Sequence, residues 1–463
     1  MTSDLPYLSA TDARRLFATR ELSPVELMRA VIEQAEKTEP VVNAFTERIF
    51  EEALEQARSA EERFATGTQR TLEGIPVATK EKHAIAGRSL TEGSLVNAGR
   101  IATENAPVID RIQRAGGIIH ARTATPEFSL TFFTHSRLWG TTRNPWKPEL
   151  SPGGSSGGSA ASLAAGSATL ATGSDIAGST RVPAAFTGTV GFKAPYGRIP
   201  GVAPLALDHY RGDSPLARTV DDCVLFTNVL AGQDPRDHAS LPFPQPLPDE
   251  YPHVAGARIA LSITLGDYEV HPEIEANTRA VASTLKSAGA TVEEIELPWT
   301  RADIQTALGG HLPAIFGEML REIARDHAED LSPYTIVFAE RMAAFREQFS
   351  YLDGLRAEAR MQRQLAEAMA GFDVLVCPTT TIPGIAAEAA LDADIYGAAM
   401  TSPFNICNRC PVLSVPSGRS SWGVPTGVQI VGHPYDDAAP FRIGKTLEQL
   451  RPWAFTDIHR PQL

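Results

Sequence analysis

Cysteine is scarce. Cys223, Cys377, Cys407 and Cys410 are the only four in 463 residues, too thinly spread to staple a chain of this size, so no disulfide framework is expected. No run reaches about 18 uncharged apolar residues, which argues against a membrane span. Basic excess is missing too: 55 acidic against 42 basic residues give a formal charge of -13, so the average surface repels a polyanion and direct nucleic-acid binding is not expected. The opening MTSDLPYLSATDARRLF mixes acids and arginines where a secretory signal needs a basic start and an apolar run, so a cytoplasmic protein is expected. The 11 histidines form no H-E-x-x-H cluster, and Cys407-Asn408-Arg409-Cys410 lacks the second pair that a structural zinc needs. Ordinary free thiols, no metal and no cofactor are the expectation.

What is present fits a globular protein: 43% hydrophobic and 21% charged residues, with 36 Gly and 34 Pro for turns and tight backbone. The first seventy residues read as helices packed on the main body. Ser9 with Asp12, and Ser23 with Glu26, have capping-box spacing, and Pro24 sits at a first helical position. From Leu72 short apolar runs alternate with helical patterns, which predicts an α/β core over 71–232. Residues 233–299 read as a Pro-rich excursion followed by a strand, helix and strand, 300–371 as a mainly helical insert on the substrate side, and 372–463 as a return to the core.

The most informative stretch runs from Ser151 to Arg181, SPGGSSGGSAASLAAGSATLATGSDIAGSTR. A flexible linker would explain its composition but not the small-residue helix that follows, nor its place between core elements. Phosphate binding would suit consecutive amides, yet neither G-x-x-x-x-G-K-S/T nor G-x-G-x-x-G is matched.

Three segments together resemble the amidase signature hydrolases. Gly74-Ile75-Pro76-Val77-Ala78-Thr79-Lys80 is similar to the segment carrying the family's catalytic lysine. Gly153-Gly154-Ser155-Ser156-Gly157-Gly158-Ser159 is similar to its Gly/Ser core, and Asp175-Ile176-Ala177-Gly178-Ser179-Thr180-Arg181 to its nucleophile loop. The separations, 75 residues from Lys80 to Ser155 and 24 from Ser155 to Ser179, match as well. Further landmarks follow in order, among them Gly191-Phe192-Lys193, Pro403-Phe404-Asn405 and Gly427-Val428-Gln429. The likeness extends from about Ala10 to Phe455, weakest between 300 and 371.

The resemblance implies a central mixed, largely parallel twisted sheet covered by helices on both faces. It implies Ser179 as nucleophile, Ser155 as proton relay behind a cis peptide bond, and Lys80 as general base, with Ser156, Asp175 and Arg181 in support. A serine needs such a base because its hydroxyl is a poor nucleophile, and a lysine can serve only when burial keeps its amine neutral. The amides of Ile176, Ala177, Gly178 and Ser179 are the candidate oxyanion hole, where one lost donor costs about 3 kcal/mol. Departures from the pattern are Ala177 where glycine is usual, Ala124 where asparagine is common, and Glu81 where aspartate is commoner. Phe132, Phe133, Phe316 and Phe345 are pocket candidates, with helix core as the alternative for the last two.

The expected substrate is a small, aromatic-leaning amide or related acyl-nitrogen compound such as a hydrazide, cleaved through an acyl-Ser179 intermediate. A glutamine-hydrolysing amidotransferase subunit is the competing enzyme. An inactive amidase-fold scaffold that binds a protein partner is the competing non-enzyme, and the intact lysine and serines weigh against it. Family members often dimerise, so a homodimer stays open.

Overall fold

The computed structural model describes residues 4–390, 396–453 and 460–463. One sheet of 11 strands runs through it, in the spatial order Phe45–Arg48, Ile118–Thr123, Pro76–Lys80, Leu170–Asp175, Gly212–Ala217, Val190–Lys193, Val412–Arg419, Pro425–Gly432, Val374–Pro378, Arg258–Leu261, Thr291–Glu294. It is mixed, as expected, but parallel order is confined to two places. The strands at 76, 118 and 170 form one parallel block, and those at 258, 291 and 374 form the other. Between them every pairing is antiparallel. The strands at 412 and 425 show why: a connection of a few residues can join only antiparallel neighbours, whereas parallel neighbours need a crossover.

Alternation along each strand assigns the two faces of the sheet. Val77, Leu170, Ala217, Ile259, Leu413 and Ile430 turn to one core, shared with helices Ala10–Thr19, Pro107–Arg114, Val220–Leu230, Pro272–Ser287 and Ala438–Leu450. Their neighbours Ala78, Ala171 and Leu216 turn the other way, to helices Pro24–Val42 and Gly157–Ala164. On that second face Ala260, Leu375, Val412 and Val431 meet helices Arg301–Leu312 and Tyr351–Ala368. Lys80 shares the parity of Ala78, which aims it at the Gly/Ser helix.

The helix starts read from sequence are found: the Ser9 hydroxyl caps the Asp12 amide, and Ser23 with Glu26 forms a full capping box. The N-terminal segment is not wholly helical, however. Phe45–Arg48 joins the sheet as an edge strand on Ile118–Thr123, and four residues between two helices carry too little alternation to announce this. The stretch from 301 to 368 is helical throughout apart from short turns, with a π turn at Pro313–Gly317. Among the described residues no helix is long and apolar enough to cross a membrane.

Candidate active site

Strand Pro76–Lys80 ends in a fully buried amine. Lys80 Nζ lies 2.8 Å from Ser155 Oγ, 3.1 Å from Ser156 Oγ and 3.2 Å from Ser174 Oγ. Ser155 and Ser156 stand at the start of helix Gly157–Ala164, and Ser174 comes from strand Leu170–Asp175. Burial drives the Lys80 ammonium well below its ordinary pKa, and the charges of Lys82 and Arg211 push the same way against Asp213 and Asp175. The peptide bond before Ser155 is cis, as the resemblance implies.

Ser179 joins this cluster through the backbone, its carbonyl accepting the Ser156 amide at 3.0 Å. The loop that carries it is tied internally. Asp175 accepts the amides of Gly178 at 2.8 Å and Thr180 at 3.2 Å, and Arg181 grips the same carboxylate. Burial alone would raise the Asp175 carboxyl, but Arg181, joined by Asn405 and Lys193, outweighs it and holds the group at about 2. The pair is therefore no surface ion bridge. Asn405 Nδ2 donates to Asp175 at 2.9 Å, and Arg181 reaches the carbonyl of Thr401 and the side-chain oxygens of Gln429 and Asn405.

One expectation about the loop changes, and the open question at Ala177 is answered. The Gly178 amide is committed to Asp175, so it is not free to receive an oxyanion; the amides of Ile176, Ala177 and Ser179 make no hydrogen bond among the described residues. Ala177 is absent from the positive-φ residues, so its methyl group imposes no left-handed strain, whereas Gly178 has φ 130° and sits against Thr401.

Ser179, Ile176 and Ala177 open onto a cavity of about 620 Å³ whose far wall is the helical insert, with Phe132, Phe316, Phe338, Phe345, Met342 and Tyr396 among its lining. Phe316 sits on the π turn, a geometry frequent at functional sites. Phe133 belongs elsewhere. It is fully buried, stacked 4.7 Å from His135 and edge-on to Tyr334 at 5.4 Å, because its neighbour Phe132 takes the cavity side.

Sequence reasoning missed Ser174, Thr172, Arg211 and Asp213. Asn405 and Gln429 were legible as landmarks without a role. No signal marks Arg211 and Asp213, which arrive from strand Gly212–Ala217 and its approach. The four cysteines are free and buried, and burial raises the thiols, Cys410 to about 11. Asp208, His209 and His311 gather within 4.8 Å, but His311 is hydrogen-bonded to Asp208 at 2.7 Å and His209 faces Glu358 at 3.2 Å, a polar tie between core and insert.

The Amidase family model matches residues 26–440. The chain belongs to this family. Its members hydrolyse carbon–nitrogen bonds other than peptide bonds, and this amidase is an enzyme of that kind. It is 33% identical to an acylamidase of Rhodococcus erythropolis, over 97% of each chain. It is 31% identical to a glutamyl-tRNA(Gln) amidotransferase subunit from Chloroflexus aggregans, over 100% of this chain and 99% of that one. Among solved structures, a 6-aminohexanoate cyclic dimer hydrolase superposes with TM-score 0.85 at 26% identity, covering 99% of both chains. The amidase fold and the amide-hydrolase class thus agree with the sequence reading.

Proposed function

We propose that this amidase is a stand-alone hydrolase of apolar, aromatic-leaning acyl-nitrogen compounds, amides first and hydrazides by the same chemistry, with Ser179 as nucleophile, Ser155 as relay and Lys80 as base. The observation that carries the assignment is the buried Lys80 amine among three hydroxyls. A neutral amine has two N–H donors and one lone pair. Ser156 Oγ is 3.4 Å from the Ser174 carbonyl and directs its proton there, so it accepts from Lys80. Ser174 takes the second N–H, which leaves the lone pair for the proton of Ser155, the nearest hydroxyl.

The cycle follows from that arrangement. Lys80 takes the Ser155 proton, Ser155 takes that of Ser179, and Ser179 attacks the acyl carbon. The amides of Ile176, Ala177 and Ser179 receive the negative oxygen; Asp175 and Arg181 hold their loop rigid. Ser155 returns a proton to the departing nitrogen, and water repeats the cycle on the acyl-enzyme.

The aromatic lining of the cavity supports an apolar substrate. Glutamine is the substrate of the competing reading, favoured by the amidotransferase relatives. Its α-ammonium calls for a carboxylate, and none lines the cavity among the described residues. A panel of amides and hydrazides varied separately in acyl and leaving group, run beside S179A, tests the proposal. Turnover that survives S179A would remove the nucleophile, and glutaminase activity that appears only with a copurifying complex would favour the amidotransferase reading.

A further inference from the structure

Behind the catalytic amine lies a second chain of buried polar groups that the reaction itself does not use. Asp213 Oδ1 stands 3.2 Å from His83 Nε2, close enough for its charge to act although not aligned as a hydrogen bond. His83 Nδ1 is 2.8 Å from Thr172 Oγ1, and Thr172 Oγ1 accepts the Lys80 main-chain N–H at 2.9 Å. All four residues are buried, His83 at 2% exposure and Asp213 at 3%. Arg211, 3.2 Å from the same Asp213 oxygen, anchors the outer end.

Proton bookkeeping gives this chain one arrangement. Burial lowers the His83 pKa, which favours the neutral ring. A proton on Nδ1 would set the Nε2 lone pair against the Asp213 carboxylate. The proton therefore sits on Nε2, and Nδ1 accepts from the Thr172 hydroxyl, whose oxygen lone pairs remain for the Lys80 amide.

We propose that Asp213, His83 and Thr172 form a positioning relay that fixes the main chain at Lys80, with His83 held by Asp213 as the Nε2–H tautomer. The inference rests on Lys80 being the base. The charged and titratable groups facing that amine are Lys82, His83 and Arg211, with Asp213 and Asp175 opposing them. The relay acts from below: it sets where the strand ends, and so whether Nζ meets Ser155 at 2.8 Å or drifts from it. A misplacement of about 1 Å at such a point can cost on the order of 100-fold in rate.

The experiment compares H83A, H83N, H83Q and T172V in the full chain. It reads kcat and KM, the acid limb of kcat/KM, melting temperature and, independently of turnover, the ε-13C lysine resonance that K80M removes. H83A and T172V are expected to lower kcat about 10- to 100-fold, with KM within about twofold. H83N keeps an acceptor where Nδ1 stood and recovers most of the rate; H83Q reaches only towards Asp213 and does not. In H83A, water entering the vacated space raises the Lys80 titration midpoint and moves the acid limb upward with it. Wild-type kcat and an unmoved lysine resonance in H83A would overturn the relay, as would equal loss in H83N and H83Q that merely follows lost stability. Turnover surviving S179A would instead defeat the functional proposal, while the lysine resonance would still judge the relay.

Discussion

Arg181 holds Asp175 from two sides inside the protein, Nε at 3.0 Å from one carboxylate oxygen and a terminal nitrogen at 2.8 Å from the other, with neither side chain exposed. The loop that carries Ser179 closes over this pair. R181M leaves a buried carboxylate unpaired, so a loss of about 3–5 kcal/mol is expected in denaturant melts, together with loss of turnover. R181K recovers only part, because an ammonium cannot reach Asp175, Asn405, Gln429 and Thr401 at once.

The same pair sets a pH dependence. Asp175 is held at about 2 against an ordinary 3.8, so its folded pKa is depressed and the unfolded chain binds the proton more readily. Its stabilisation is complete above about pH 4 and is lost as pH falls towards 2. Stability followed from pH 5 to 2 should therefore decline, and the part of that decline due to Asp175 should be missing in R181M.

Lys80 gives the same sign of slope, at higher pH, but the opposite consequence at neutrality. Its folded pKa lies well below 10.5, so between the two values the unfolded chain carries a proton that the folded one does not. Stability conferred on the fold rises with pH across that window, and at neutral pH the buried amine is a burden. K80M should abolish turnover yet stabilise the protein by about 0.5–2 kcal/mol in thermal melts. In the wild type, kcat/KM should rise with pH through a value far below that of free lysine and then level off.

Gly178 and Ala177 should respond in opposite ways to small changes. A Cβ on Gly178 would fall 1.9 Å from Thr401 Oγ1, at φ 130°, so G178A should lower kcat by roughly 100-fold or more through a displaced loop. A177G restores the glycine usual in the family without relieving any strain, and kcat within about threefold of wild type is expected from steady-state kinetics.

The adjacent phenylalanines separate stability from specificity. F133A empties a fully buried site and should cost about 3–5 kcal/mol in unfolding free energy. F345A removes cavity wall, so it should raise KM for aromatic amides with little change in melting temperature.

Much of the site could be read in advance because its chemistry is carried by short segments. Lys80, Ser155 and Ser179 each sit in a run whose glycines and neighbours announce the local backbone, and Ser9 and Ser23 announce helix starts through contacts only a few residues long. The mixed order of the sheet was less legible. Strands at 170 and 212 pair across an intervening strand at 190, and nothing in either run says which neighbour it will take.

By itself the sequence determined which residues bring an amine, two hydroxyls and a row of amides, and the local turns that present them. Tertiary structure alone decided that Arg181 reaches Thr401, Asn405 and Gln429, that Phe132 rather than Phe133 meets the cavity, and that Asp213 stands behind His83. The reason is physical: hydrogen bonds and side-chain directions between residues more than a hundred positions apart are fixed only when the sheet and its helices pack, and neither spacing nor composition encodes that outcome.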